Sequence, residues 1–433
     1  MKKRLAIIAL ALVVIMSMTC VLFACADDSN GDNTGNNGGN NNGGNNGGNN
    51  NTNTPGSYNL KVWCAELDRE MIDEMLYAYE EANPNNTYNW TVQNVGEDVA
   101  GNRVVQDPTQ AADVFSFASD QLGSLVTNNA ILAVPTQYQS AIADEQIPIA
   151  DTAAKFNGQY YAYPYTYENC FLYYNKSLLS ANQLGSIESI LAANTGAEYN
   201  LGINMDDSYY TSIFMFTAGM ELFGVDGQDA NNVDLNNNKA IAGCNYIYGI
   251  SSMANGAKFK SILEEEQSTA LRNGNVAAVI SGPHMVAEFK TALGANYAVA
   301  KLPTIKLNNK ATQMVSFSGV KLYGVNRNTA HAAEAAKLAA FLSNYDNQAI
   351  RLNDREFCPT NAQLYEEAMD SGVEAVEVVI EQAEYTRLKP AFTAMSSYWT
   401  PMADFLAGVY KKNFASSTWA SKLQAIEDGL AGA

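Results

Sequence analysis

The sequence predicts an α/β protein large enough for two lobes, and three observations lead there. Strand-like alternation and helix-like spacing succeed one another along the chain from residue 58 onward. Apolar residues are 47% and charged residues 16% of the 433, which allows sizeable cores, and at roughly 150 residues per domain the length suggests about two. No low-complexity tract or short repeat interrupts residues 58–433.

Leu60, Val62 and Cys64 alternate with polar or larger neighbours and predict a first strand. Met71, Ile72, Met75, Leu76 and Tyr79 recur at helical spacing, and Asn83-Pro84 ends that helix. Tyr88, Trp90 and Val92 alternate again, Val114 to Phe117 is a third strand, and a helical stretch starts near Asp120. Strand–helix–strand–helix order predicts a parallel sheet with crossover helices. Apolar residues at helical spacing between Asn204 and Met220 predict another helix. In a further one, Pro283 takes a first helical position and Met285, Val286, Phe289 and Leu293 continue it. Ala330 to Leu342 is Ala-rich with strong helix propensity, and Val373 to Gln382 and Met402 to Tyr410 read as helices too.

The first 57 residues are of another kind. Lys2-Lys3-Arg4 followed by the apolar run from Leu5 is the layout of a secretory signal peptide, assigned to 1–24. Leu5 to Phe23 also approaches the ~20 residues of a membrane span, so an uncleaved anchor is the competing reading. Leu22-Phe23-Ala24-Cys25 resembles a bacterial lipobox, which makes Cys25 the expected lipidation site; Cys20, preceded by Thr19, is the weaker candidate. Residues 25–57 then form the lipidated N-terminus and a tether of Asn, Gly, Thr and Asp that cannot bury apolar surface. As a flexible coil it would span roughly 30 Å. This arrangement predicts a lipid-anchored protein on the outer face of the membrane of a Gram-positive-type cell.

Composition excludes several functions. A formal charge of −19 argues against nucleic acid, whose phosphates require Lys and Arg. His284 and His331 are the only histidines, which disfavours a His-rich metal centre, and no metal or cofactor is expected. Asp226-Gly227-Gln228-Asp229 with Asp234 hints at a calcium loop but lacks EF-hand spacing, so a solvated loop is the preferred reading. Cys64, Cys170, Cys244 and Cys358 match no CxxC or metal pattern and read as buried thiols, with pairing left open. GxSxG, P-loop and HExxH motifs do not occur.

Several segments in order carry a resemblance. They are Ala112-Asp113-Val114-Phe115 with Ala118-Ser119-Asp120; Phe156-Asn157-Gly158-Gln159-Tyr160-Tyr161-Ala162-Tyr163-Pro164; Glu168; and Tyr173-Tyr174-Asn175-Lys176. Asn273 to Ala278 with Ser281-Gly282-Pro283, Leu302-Pro303-Thr304, and Met395-Ser396-Ser397-Tyr398-Trp399 follow. Together they resemble the maltose-binding family of extracellular solute-binding proteins over essentially all of 58–433. The resemblance implies a two-lobed periplasmic-binding-protein-like fold of doubly wound sheets with three interlobe crossings, near Tyr167, Pro303 and Pro359. The N-lobe would be 58–167 plus 303–358 and the C-lobe 168–302 plus 359–433. A sugar would lie between the lobes, which would close by hinge motion.

The same resemblance implies the site. Asp120 and Glu168 would accept hydrogen bonds from sugar hydroxyls, and Asp207 is a further acidic contact. Tyr209 and Trp399 are second-lobe platforms, and Phe117 stands at a family tryptophan position. His284 follows Ser281-Gly282-Pro283 where the family pattern has Trp, Gln121 stands in place of Arg, and Glu66-Leu67-Asp68 lacks the family's Lys. Each residue has a plainer reading: a helix N-cap for Asp120, a buried ion pair for Glu168, core packing for Trp399, and a strand interior for Phe117. Asp206-Asp207-Ser208 suggests that Tyr209 lies in a loop. Tyr163, Tyr173 and Tyr174 are expected to pack in the core.

The resulting expectation is a monomeric, non-enzymatic substrate-binding subunit of an ABC importer that hands an oligosaccharide, first maltose or maltooligosaccharide, to permease subunits. The alternatives are a peptide or polyamine receptor on the same fold, suggested by the acidic charge, and a surface glycosidase using a carboxylate pair.

Overall fold

The computed structural model describes residues 55–431. The signal segment, Cys25 and the tether as far as residue 54 lie outside the described residues. Two large sheets organise the rest. The first contains β1 (Ser57–Cys64), β2 (Thr87–Asn94), β3 (Val114–Ala118) and β4 (Tyr163–Asn169). The second contains β5 (Phe171–Asn175), β6 (Tyr199–Ile203), β7 (Phe259–Ser261), β8 (Val276–Ser281) and β9 (Tyr297–Ala300). The chain then returns to the first sheet for β10 (Ser316–Val325) and β11 (Thr386–Leu388).

Within the first sheet β1 lies between β2 and β3, all parallel, so Leu60, Val62 and Cys64 are covered on both sides. The helix Arg69–Ala82 buries Met71, Ile72, Met75, Leu76 and Tyr79, and stops at Asn83. Neither sheet is purely parallel, unlike the sequence expectation. β10 is antiparallel to β3 and to β4, and β5 is antiparallel to β8 and β9. The reversed strands are β10 and β11 in the first sheet and β5 in the second, and β5 and β10 are each the strand by which the chain enters from the other sheet.

β10 is the strand on which the site is built. One edge pairs with β4 from Ser318 to Tyr323. The other edge is shared end to end by β11, at Ser316 to Ser318, and β3, at Lys321 to Val325. β11 falls within the stretch 359–433 assigned to the second lobe, yet it joins the first sheet. The edge that β3 leaves open would otherwise hold buried, unpaired backbone groups. Tyr167 also pairs with Cys358 through one backbone bond of 2.9 Å.

The core is apolar on both sheets. Leu60, Met75, Leu76 and Leu338 pack on one face of the first sheet, and Phe115, Phe117 and Leu122 on the other. Leu201, Ile213, Phe214 and Leu406 form the centre of the second. Tyr163, Tyr173 and Tyr174 are buried, as expected. Cys64, Cys170, Cys244 and Cys358 are buried free thiols, and burial pushes Cys64 and Cys244 up to about 12.

Candidate functional site

β3 and β11 run toward each other along one edge of β10, and their carboxyl ends meet there. Val320 N–H donates to Ser119 Oγ at 3.3 Å, and Lys389 N–H donates to Ser318 O at 2.8 Å. Asp120 and Lys389 are thereby brought together, with Nζ 3.4 Å from Asp120 Oδ1. On the opposite edge Glu168 faces Gly319, and its Oε1 lies 3.6 Å from the same Nζ. Lys321, two residues further along β10, reaches Glu97 at 3.4 Å and Glu168 at 3.9 Å.

The second sheet supplies the facing wall, again beyond strand carboxyl ends, where ligands bind in open α/β sheets. After β6, Asp207 caps the helix Ser208–Thr217 by accepting from Tyr209 N–H at 2.8 Å, which sets Tyr209 in the first turn. After β8, the turn Pro283–Met285 presents His284, whose Nε2 lies 3.0 Å from Glu264 Oε1. Tyr210 also donates to Glu264. Trp399 opens the helix Trp399–Tyr410, and Ser208 Oγ donates to its carbonyl at 2.8 Å. Phe317 of β10 backs both platforms: its ring stacks on Tyr209 at 6.1 Å and lies 5.5 Å from Trp399.

These groups surround a cavity of about 590 Å³. Asp120, Gln121, Glu97, Glu168, Lys321 and Lys389 line it from the side of the first sheet, and Asp207, Tyr209, Glu264, His284 and Trp399 from the second. For Glu168, Glu264 and Lys389 burial opposes the charge and the ion pairs outweigh it. Lys321 and Lys389 hold the Glu168 carboxyl below its ordinary value despite burial. Burial would lower Lys389, but Asp120 and Glu168 hold its ammonium above the ordinary value. Burial pushes Asp207 up, while the bond from His284 keeps Glu264 low against its own burial.

Six of the seven residues implied by the resemblance, namely Asp120, Glu168, Asp207, Tyr209, His284 and Trp399, line this one cavity. Phe117 does not. It is fully buried in the core and paired with Leu322, because β3 alternates and only its terminal residues face the cavity. Asp120 makes no N-cap bond, so that plainer reading fails. Glu168 does form a buried ion pair, and lines the cavity as well. Tyr209 is in a helix rather than a loop, and Trp399 is half-buried against the second core while facing the cavity. Lys321, Lys389, Glu97 and Glu264 were not anticipated. For Lys321 a signal existed: it is a lone charge inside an apolar strand, and Lys is almost never buried unless paired. Asp226 and Asp229 accept from Gln228 N–H and Asn231 N–H at 3.1 Å each, so both carboxylates shape their own loop.

Two sheets joined by crossing strands, with a carboxylate- and aromatic-lined cleft between them, define a protein built to hold a ligand. Residues 74–377 match the bacterial extracellular solute-binding protein family, and the chain belongs to it. A galactooligosaccharide-binding protein of Bacillus subtilis is 29% identical over 303 residues, covering 67% of this chain and 70% of its own. A maltooligosaccharide ABC transporter solute-binding lipoprotein of Streptococcus pneumoniae is 27% identical over 304 residues, covering 68% and 70%. Among solved structures, a maltodextrin-binding protein from L. casei superposes with a TM-score of 0.78 at 25% identity, over 87% of this chain and all (100%) of that one. A Streptococcus pneumoniae protein solved with maltopentaose gives 0.73 at 22% identity, over 85% and 99%. The fold is the two-lobed α/β fold of these maltodextrin-binding proteins.

Proposed function

We propose that this chain captures an oligosaccharide in the cleft and delivers it to the permease of an ABC importer, working as a monomer held to the outer membrane face by lipid on Cys25. The main support is the placement of two ring faces, Tyr209 and Trp399, beside the carboxylates of Asp120, Glu168 and Asp207. A sugar is apolar on its ring faces and hydroxyl-rich at its edges. Rings cover the former, and ionised acceptors bind the latter at about 1.5–3 kcal/mol per bond rather than ~1. Lobes of 58–167 with 303–358 and 168–302 with 359–433, β11 excepted, would close around the ligand.

Maltooligosaccharide is the first choice, supported by the Streptococcus pneumoniae relative and by the neighbours named for maltodextrin. Galactooligosaccharide is the second, supported by the Bacillus subtilis relative at 29% identity. Hydrolysis is disfavoured because Glu168 and Glu264 are held ionised, whereas a general acid needs a raised pKa. Asp207 is raised, but its carboxylate is engaged in capping.

A thermal-shift panel tests the reading. The cognate oligosaccharide should stabilise the protein by about 2.7 kcal/mol at a hundred times Kd. Stabilisation by spermidine or a peptide but by no sugar would replace it with the cationic-ligand alternative, and release of reducing ends would replace it with a glycosidase. Lipidation is tested separately: Cys25→Ala should abolish incorporation of labelled palmitate.

A further inference from the structure

We propose that Lys389 is a specificity-determining residue of the cleft: its ammonium fills the place between Asp120 and Glu168 that an amino group on a ligand would take, and so restricts the site to neutral sugars. This deepens the oligosaccharide reading and rests on it.

The surroundings of Lys389 Nζ are those of an ammonium-binding site. Two carboxylates lie at 3.4 and 3.6 Å, and the ring of Tyr209 has its centroid at 5.6 Å. Paired carboxylates with an aromatic face are what recognises an organic cation. The protein supplies that cation itself, from a side chain that is only 8% exposed.

The seat is built for it. A Cβ on Gly319 would stand 2.6 Å from Lys389 Cε, 3.0 Å from its Nζ and 3.2 Å from Glu168 Oε1. Even a methyl group there would push the ammonium off Glu168. The bond from Lys389 N–H to Ser318 O fixes the backbone from which the side chain reaches across.

Lys321 cannot substitute for it. Its ammonium is shared between Glu97 and Glu168, and Asp120 is not among its ion-pair partners. Asp120 Oδ1 is buried, and Lys389 is its ion-pair partner at 3.4 Å. With Lys389 present both carboxylates are compensated from within the protein; without it Asp120 and Glu168 would form an uncompensated acidic pair that favours a protonated amine.

The test measures selectivity on the full chain by calorimetry, using the neutral oligosaccharide it binds and the same oligosaccharide carrying one amino group. The unsubstituted chain should prefer the neutral sugar. Lys389→Met should weaken neutral binding about tenfold or more and strengthen the amino sugar, reversing the preference. Gly319→Ala keeps every charge but displaces the ammonium, and should move the ratio in the same direction; it decides the matter should Lys389→Met fail to fold. A neutral-to-amino ratio unchanged in folded variants overturns the role of Lys389 while leaving oligosaccharide binding intact. An unsubstituted chain that prefers the amino sugar overturns it as well. A chain that binds neither sugar removes this inference together with the reading beneath it.

Discussion

Lys389 Nζ lies 3.4 Å from Asp120 Oδ1 because β3 and β11 approach along one edge of β10 from opposite directions and stop on either side of Gly319 and Val320. Glu168 completes the group from the other edge. The charged part of the site is therefore held by β3, β4, β10 and the end of β11, all strands of the first sheet. Four expectations follow from this arrangement.

Trp399 lines the cleft, and its ring lies 5.5 Å from that of Phe317 at a tilt of 58°. Trp399→Ala should cost about 1–3 kcal/mol of oligosaccharide affinity, on the scale of aromatic stacking against other flat ligands. Calorimetry on the folded variant gives the answer; unaltered affinity would assign the ring to packing alone.

Phe117→Ala should behave in the opposite way. Its side chain is wholly enclosed by the core beneath β3, so truncation should lower stability by about 3–5 kcal/mol. Affinity measured on the folded fraction should stay within roughly twofold. Denaturant titration and ligand titration on one preparation separate the two effects.

The charged group gives stability a defined pH dependence. Glu168 is held below its ordinary 4.5 in the folded chain, so its contribution is complete above that value and is lost as pH falls through the lower folded one. Lys389 is held above its ordinary 10.5, so its contribution is present below that value and is lost as pH rises through the folded one. Between these limits the network should leave the melting temperature flat. Glu168→Gln should melt lower at neutral pH, and the gap to the unsubstituted chain should narrow below pH 4.5. A constant gap down to strong acid would show that the ion pairs contribute nothing.

Ligand capture should compact the molecule. A sugar touching Asp120 on one side and Tyr209 and Trp399 on the other gains more contact in a closed arrangement, and only that difference shifts the equilibrium. Small-angle scattering should show a smaller radius of gyration at saturating oligosaccharide. Tight binding with an unchanged radius would indicate a rigid groove.

Elements with a clear local period were legible. The helix Arg69–Ala82 and the strands β1 to β3 fall where the sequence pattern put them: the helix buries one face, and β3 is a short run buried throughout. The helix Glu97–Gln106 was not seen: Gly101 and Asn102 weaken its propensity, and packing against β3 holds it. The site residues Asp120, Glu168, Tyr209 and Trp399 were reached through motif resemblance, which reports segments one at a time. That is also why Phe117 was misplaced, because a motif position does not say which face of a strand a side chain takes.

Sequence alone determined what depends on near neighbours: the α/β order, the amphipathic faces, the acidic balance and the family motifs. Only the tertiary structure decided the partners of Lys389 and Lys321, the antiparallel course of β10, and the bare Cα of Gly319 beside an ammonium. Those relations join residues from β3, β4, β10 and the end of β11, which local spacing cannot bring together. They exist because a charge removed from water must find its opposite, and the strands that supply one, far apart in sequence, meet only when the first sheet has formed.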